Sequence, residues 1–156
     1  MKVFTKLAWL LLLAAAFTYI SPQGHTAGNT YAQANKQGDK PAMKIKVTSN
    51  GKNTVFQLNS STAARELYAQ LPLNIKVENF GGNEKIFYPP EKLATDNTPR
   101  ANAEAGSLSY YAPWGDVVMF YKDFGSASGL YELGKAVSGA ENISAMSGTI
   151  SINKED

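Results

Sequence analysis

The chain contains no cysteine, a single histidine and two arginines. Without cysteine there are no disulfides, no thiolate metal sites, no cysteine nucleophile and no lipobox for N-terminal lipidation. His25 lies in or beside an N-terminal leader, so a domain folded downstream of it has neither a histidine base nor an imidazole metal ligand. The many serines therefore have no triad partner. Glu78 and Glu104 form no recognisable pair for acid–base work. No cofactor is expected: Gly81-Gly82-Asn83 lacks the length and the lysine of a phosphate loop and reads as a hairpin turn. Net charge is also scarce. The formal +2 includes Lys2 and Lys6, and removing both takes Lys+Arg from 15 to 13 against 13 Asp+Glu. No basic stripe for nucleic acid remains.

What is present suits one domain, since 156 residues with 44% apolar and 11% aromatic content are enough for an ordinary core. Lys2 and Lys6 precede the uncharged run Leu7 to Phe17, the layout of a secretory signal peptide. Export to the periplasm or the extracellular space is the expectation, with residues 1–27 as the leader and an uncleaved membrane anchor as the alternative. Cleavage after Ala27 or after Ala34 fits. Residues 28–42 are rich in Gln, Asn, Gly, Lys and Ala and bury too little to offset the entropy of ordering them, which predicts a flexible tether. Residues 43–156 form the expected domain.

Within that domain the organising stretch is Gly106 to Gly134. Two β-type runs, Ser107 to Tyr111 and Asp116 to Phe124, flank the turn Ala112-Pro113-Trp114-Gly115, and a third begins at Leu130 after the small-residue loop Gly125 to Gly129. This predicts an antiparallel meander. Upstream, Lys44 to Thr48 and Thr54 to Leu58 alternate polar and apolar around Ser49-Asn50-Gly51-Lys52, a hairpin signal. Ser60, Ser61 or Thr62 is positioned to cap a helix whose apolar face carries Ala63, Ala64, Leu67, Tyr68 and Leu71, with Pro72 ending it. Leu73 to Phe80 and Lys85 to Tyr88 make a further hairpin. Glu91 to Ala105 reads as a long surface loop with one helical turn at Glu91 to Leu93. A strand ending at Gly139, a short helix or turn over Glu141 to Met146 and a last strand at Gly148 to Ile152 complete the pattern. About eight short strands and one or two helices predict a mainly β fold, a closed antiparallel barrel that leaves no exposed edge.

Several of these pieces, in this order, resemble the cyclophilin-like domain family, and in particular small bacterial members divergent from true peptidyl-prolyl isomerases. The resemblance spans roughly Met43 to Ile152 and rests on Ile86-Phe87-Tyr88-Pro89-Pro90, on Tyr111-Ala112-Pro113-Trp114-Gly115-Asp116, and on Leu133-Gly134-Lys135-Ala136-Val137-Ser138-Gly139. It implies a cyclophilin-like barrel. True cyclophilins use an arginine within a phenylalanine-histidine-arginine run, but Val77 to Tyr88 holds neither arginine nor histidine, and Arg65 and Arg100 fall outside the motif position. By spacing, Met119 stands where the family has a pocket phenylalanine and Leu130 where it has a pocket histidine. With an isomerisation barrier of about 18–20 kcal/mol, loss of the arginine donor is expected to remove most of the rate.

The densest aromatic cluster is Tyr110, Tyr111, Trp114, Phe120 and Tyr121, and Trp114, in a turn, is the ring expected to meet a ligand. The competing reading is that these rings fill the barrel. Alternation puts Val117, Met119 and Tyr121 on one face and Asp116, Val118 and Phe120 on the other, without saying which is inside. Asp116 reads as a turn-fixing side chain that bonds nearby backbone N–H groups. The expected ligand-binding residues are Tyr110, Tyr111, Trp114, Met119, Tyr121 and Arg100, and the expected partner is a peptide or small ligand. The alternative function is a weak or atypical isomerase that draws Arg100 in from its loop. Oligomeric state is left open.

Overall fold

The computed structural model describes residues 42–156; the leader and all of the tether but Ala42 lie outside the described residues. In chain order, strands β1 (Lys44–Ser49) and β2 (Lys52–Leu58) are followed by helix α1 (Thr62–Ala69), then β3 (Leu73–Lys76), β4 (Glu78–Phe80) and β5 (Glu84–Phe87). Next come β6 (Ser107–Tyr111), β7 (Asp116–Phe120) and β8 (Leu130–Ser138), a 3-10 helix at Ala140–Ala145 and β9 (Thr149–Glu155). All pairings are antiparallel, in the order β3-β9-β1-β2-β8-β6-β7-β5-β4. The fold is mainly β and nearly closed.

Local chemistry explains most of these elements. Asn50 and Gly51 both have positive φ, 50° and 73°, as a two-residue hairpin turn whose twist matches its strands requires, and Ile45 then faces Phe56 across β1 and β2. Ser61 is the N-cap of α1: its hydroxyl accepts from the Ala64 N–H at 3.3 Å, satisfying one of the donors a helix start leaves open. Ala63, Ala64 and Leu67 on the buried face of α1 join Ile45, Phe56, Leu108 and Met119 in the barrel core. Each large apolar side chain so enclosed contributes about 1.5–3 kcal/mol.

The barrel has nine strands where the alternation of Leu73 to Phe80 predicts one of eight. The break is at Val77. Leu73 to Lys76 pair with β9, whereas Glu78 to Phe80 pair with β5, and the buried Val77 between them donates its N–H to the Gly148 carbonyl at 2.9 Å. A single segment thus serves both free edges of the sheet and must bend to do so.

Two further segments depart from expectation for tertiary reasons. β7 stops at Phe120: the Tyr121 N–H still meets the Asn83 carbonyl in the β5 register, but the chain then leaves the ladder and the Phe124 and Gly125 N–H groups turn to the Ala103 carbonyl. Glu91 to Leu93 form no helical turn: Glu91 is held in a reciprocal pair of hydrogen bonds with the Gln70 side chain, and the Leu93 N–H donates to the Tyr110 hydroxyl. The loop from Tyr88 to Gly106 therefore lies down on the barrel, with Leu93, Ala101 and Ala103 buried.

Candidate functional site

Alternation along β7 divides its side chains between two environments. Val117 and Met119 point into the barrel core, while Val118 and Phe120 belong to a second apolar cluster with Ile86, Ala101, Ala103 and Leu130. The second cluster lies on the outer face of the neighbouring strands β8, β6, β7 and β5. On that face lies a cavity of about 180 Å³, lined by Phe80, Glu84, Tyr111, Trp114, Asp116, Val118, Phe120, Phe124, Ala127 and Leu130.

Its rim is aromatic. Trp114 meets Phe80 edge-on, ring centroids 5.1 Å apart at 82°, and Tyr111 likewise at 5.4 Å and 81°. On the opposite wall Phe120 stacks on Phe124 at 5.2 Å. The turn that carries Trp114 is fixed by three backbone bonds: Trp114 N–H and Gly115 N–H to the Tyr111 carbonyl, and Ala112 N–H to that of Gly129. Trp114 itself remains 51% exposed. A large apolar ring on a rigid turn, half in water, is available for contact.

Two carboxylates stand in this otherwise apolar wall. Asp116 is 2% exposed and Glu84 8%. Burial pushes the Asp116 carboxyl above the usual carboxylate range, only partly offset by a hydrogen bond from its own backbone N–H, and leaves Oδ1 without a partner. Burial also raises Glu84, and the Asp116 charge adds to it. Beside them, Tyr88 is raised by burial and by the charges of Asp116 and Glu78. The Ser109 hydroxyl, buried on β6, is likewise unpaired. Among the described residues the ion pairs are Lys46–Glu155, Lys76–Glu78 and Lys135–Glu104, so neither cavity carboxylate is neutralised. Nor do they belong to a group of three or more potential metal ligands; no such group occurs among the described residues.

Of the residues expected to bind a ligand, the structure brings Tyr111 and Trp114 to the cavity. Tyr110 and Met119 are in the barrel core, facing away from it, and Tyr121 packs on that core from the side. Arg100 lies outside the lining, its guanidinium 4.6 Å from the centre of the Tyr131 ring, with which it also forms a backbone bridge. Leu130 and Ala127 do line the cavity. Sequence reasoning passed over Phe80, Glu84 and Phe124. A signal existed for Glu84: counting in twos from Ile86 puts it on one face of β5, an acid where its neighbours are apolar.

The family model described as the cyclophilin-like family matches residues 47–155. No curated protein matches. Among solved structures, the solution structure of a hypothetical protein from Archaeoglobus fulgidus is similar at 15% identity, with a TM-score of 0.56 over 73% of this chain and 95% of the other. At that identity the likeness speaks for the fold. The crystal structure of the Mimivirus cyclophilin aligns at 12% identity and a TM-score of 0.47, over 72% of this chain and 87% of the other.

Proposed function

Because the chain belongs to the cyclophilin-like family, we propose that it uses this barrel as an exported, non-catalytic binding module for a peptide or small ligand, held in the cavity beside Trp114. The observation that carries the reading is the cavity itself: a preformed apolar hollow of about 180 Å³ on the sheet, rimmed by aromatic rings and with no arginine, lysine or histidine among the described residues of its lining. Isomerase chemistry requires a donor to stabilise the twisted amide, and the nearest arginine candidate, Arg100, is occupied with Tyr131. Two acidic side chains in its place repel electron density at a carbonyl oxygen instead of stabilising it.

Export follows from the Lys-flanked apolar leader. One preparation tests both parts: the protein is recovered from its native compartment, its N-terminus is sequenced, and it is presented with a library of blocked tripeptides varied at the central residue. A mature N-terminus beyond the leader, retention of some peptides that a Trp114→Ala variant fails to retain, and proline isomerisation no faster than buffer are expected. Retention unchanged in the variant would remove the cavity as the site, and clear isomerase activity lost in Arg100→Ala would restore the enzyme reading.

A further inference from the structure

The two carboxylates give this cavity more chemical identity than an apolar groove needs. Glu84 and Asp116 lie on different strands, β5 and β7, yet both enter the same wall, more than nine-tenths buried and outside every ion pair among the described residues. A buried carboxylate without a counter-charge is costly, and a fold that needed only packing there gains more from an apolar residue. The Asp116 Oδ1 acceptor has no partner among the described residues. The charged groups around the pair do not supply one: Glu78 adds to the negative side, Tyr88 is a neutral phenol, and Lys92, whose stem passes beside Gly115, makes no ion pair with Asp116.

We propose that the cavity holds the side chain of a lysine on a bound peptide, its four-carbon stem against the aromatic walls and its ammonium at Asp116 and Glu84. The inference rests on the reading of the cavity as the binding site. Charge complementarity selects a cation. The lining then selects its kind, since a calcium-like ion needs six to eight oxygen ligands and two carboxylates among aromatic rings do not provide them. An alkylammonium suits both parts of the wall, because its carbon stem is apolar, its head is a point donor, and aromatic faces attract it. Lysine fits better than arginine because the buried acceptor left without a partner is the single oxygen Asp116 Oδ1, a point acceptor, where a guanidinium fork wants two parallel oxygens of one carboxylate. The volume, about 180 Å³, is close to the ~150 Å³ that encloses one benzene, so it takes one side chain and no more. Phe80, Trp114 and Phe124, each about half exposed, continue the apolar surface outward, where the flanking residues of a peptide would lie.

The test is a calorimetric titration of the full chain at neutral pH with blocked Ala-Lys-Ala, with the same peptide acetylated at Nζ, and with n-butylamine. The lysine peptide is expected to bind, and acetylation, Asp116→Asn and Glu84→Gln each to weaken it by at least about tenfold, the usual cost of losing a charged hydrogen bond. Both variants are expected to melt no lower than the parent, which separates a ligand-directed carboxylate from a structural one. Equal affinity for the two peptides, with binding still lost in Trp114→Ala, overturns the lysine assignment and leaves the cavity as the site. Butylamine binding as tightly as the peptide overturns the peptide as occupant. If none of the three binds, the lysine assignment falls, while retention of other library peptides through Trp114 decides the broader reading.

Discussion

At the residue scale, Asp116 and Glu84 are the groups whose protonation is coupled to folding. Both are acids whose folded pKa lies above the unfolded value, Asp116 through burial, Glu84 through burial and the Asp116 charge. Across the interval between the two values the folded chain binds more protons than the unfolded one, so stability falls as pH rises through it and is fully lowered above the folded pKa. Thermal melts of the free protein should therefore show a midpoint that declines from just below the ordinary carboxylate range, about pH 4, toward neutrality. In an Asp116→Asn, Glu84→Gln double variant that decline should flatten. An unchanged slope in the double variant would show that other groups control it. Asp116 was expected to fix its turn by bonding nearby backbone N–H groups, but the turn is held by backbone bonds to the Tyr111 and Gly129 carbonyls, and Asp116 Oδ1 has no partner among the described residues, a feature that depends on strands far apart in sequence. Trp114, placed by its turn outside both strands, is half exposed as that position implies. Tyr110 and Met119 were not placed by the same logic: alternation separates two faces of β7 and its neighbours, and only the closure of the barrel decides which is inside.

At the scale of elements, strands and turns followed their local chemistry closely. Ser61 caps α1 within the proposed trio, the Asn50-Gly51 turn closes the first hairpin, and the short helix after Gly139 is a 3-10 helix at Ala140–Ala145. Misjudged boundaries are those where a backbone N–H has a tertiary partner, as at Phe124 and Leu93. Gly134 shows how a short motif can encode a contact between elements. It sits in β8 opposite Leu58 of β2, and a Cβ there would collide with the Gln57 carbonyl oxygen and lie 2.9 Å from the Leu58 Cα. All of these contacts are backbone of β2, so nothing flexible gives way. Gly134→Ala should lower stability by about 1–3 kcal/mol or more through overpacking, read as a fall in the denaturant midpoint at constant slope. Gly82→Ala, in a turn with nothing within 4 Å of the new methyl, should stay within about 0.5 kcal/mol of the parent. Equal effects at the two sites would mean that β2 and β8 separate at little cost.

For the whole molecule the consequential feature is how the sheet closes. Most of the barrel is sealed by strands of five to nine residues with buried inner faces, but the segment Leu73 to Phe80 closes it with two short pieces, of which β4 is three exposed residues. A seam so short and so solvated should open locally before the rest of the sheet unfolds. Amide hydrogen exchange is expected to reach β4 at least about a hundredfold sooner than the central strands β1 and β2, without global unfolding. β4 is also the strand that delivers Phe80 to Trp114, so the weakest closure of the barrel is one wall of the cavity. A ligand seated there binds only the closed seam and must raise its protection by mass action. Saturating the protein with a peptide that the cavity retains should therefore slow exchange across Glu78 to Phe80 while leaving β1 and β2 unchanged. Protection that rises uniformly over all strands would mean that binding stabilises the barrel as one cooperative unit, with no separate opening at its seam.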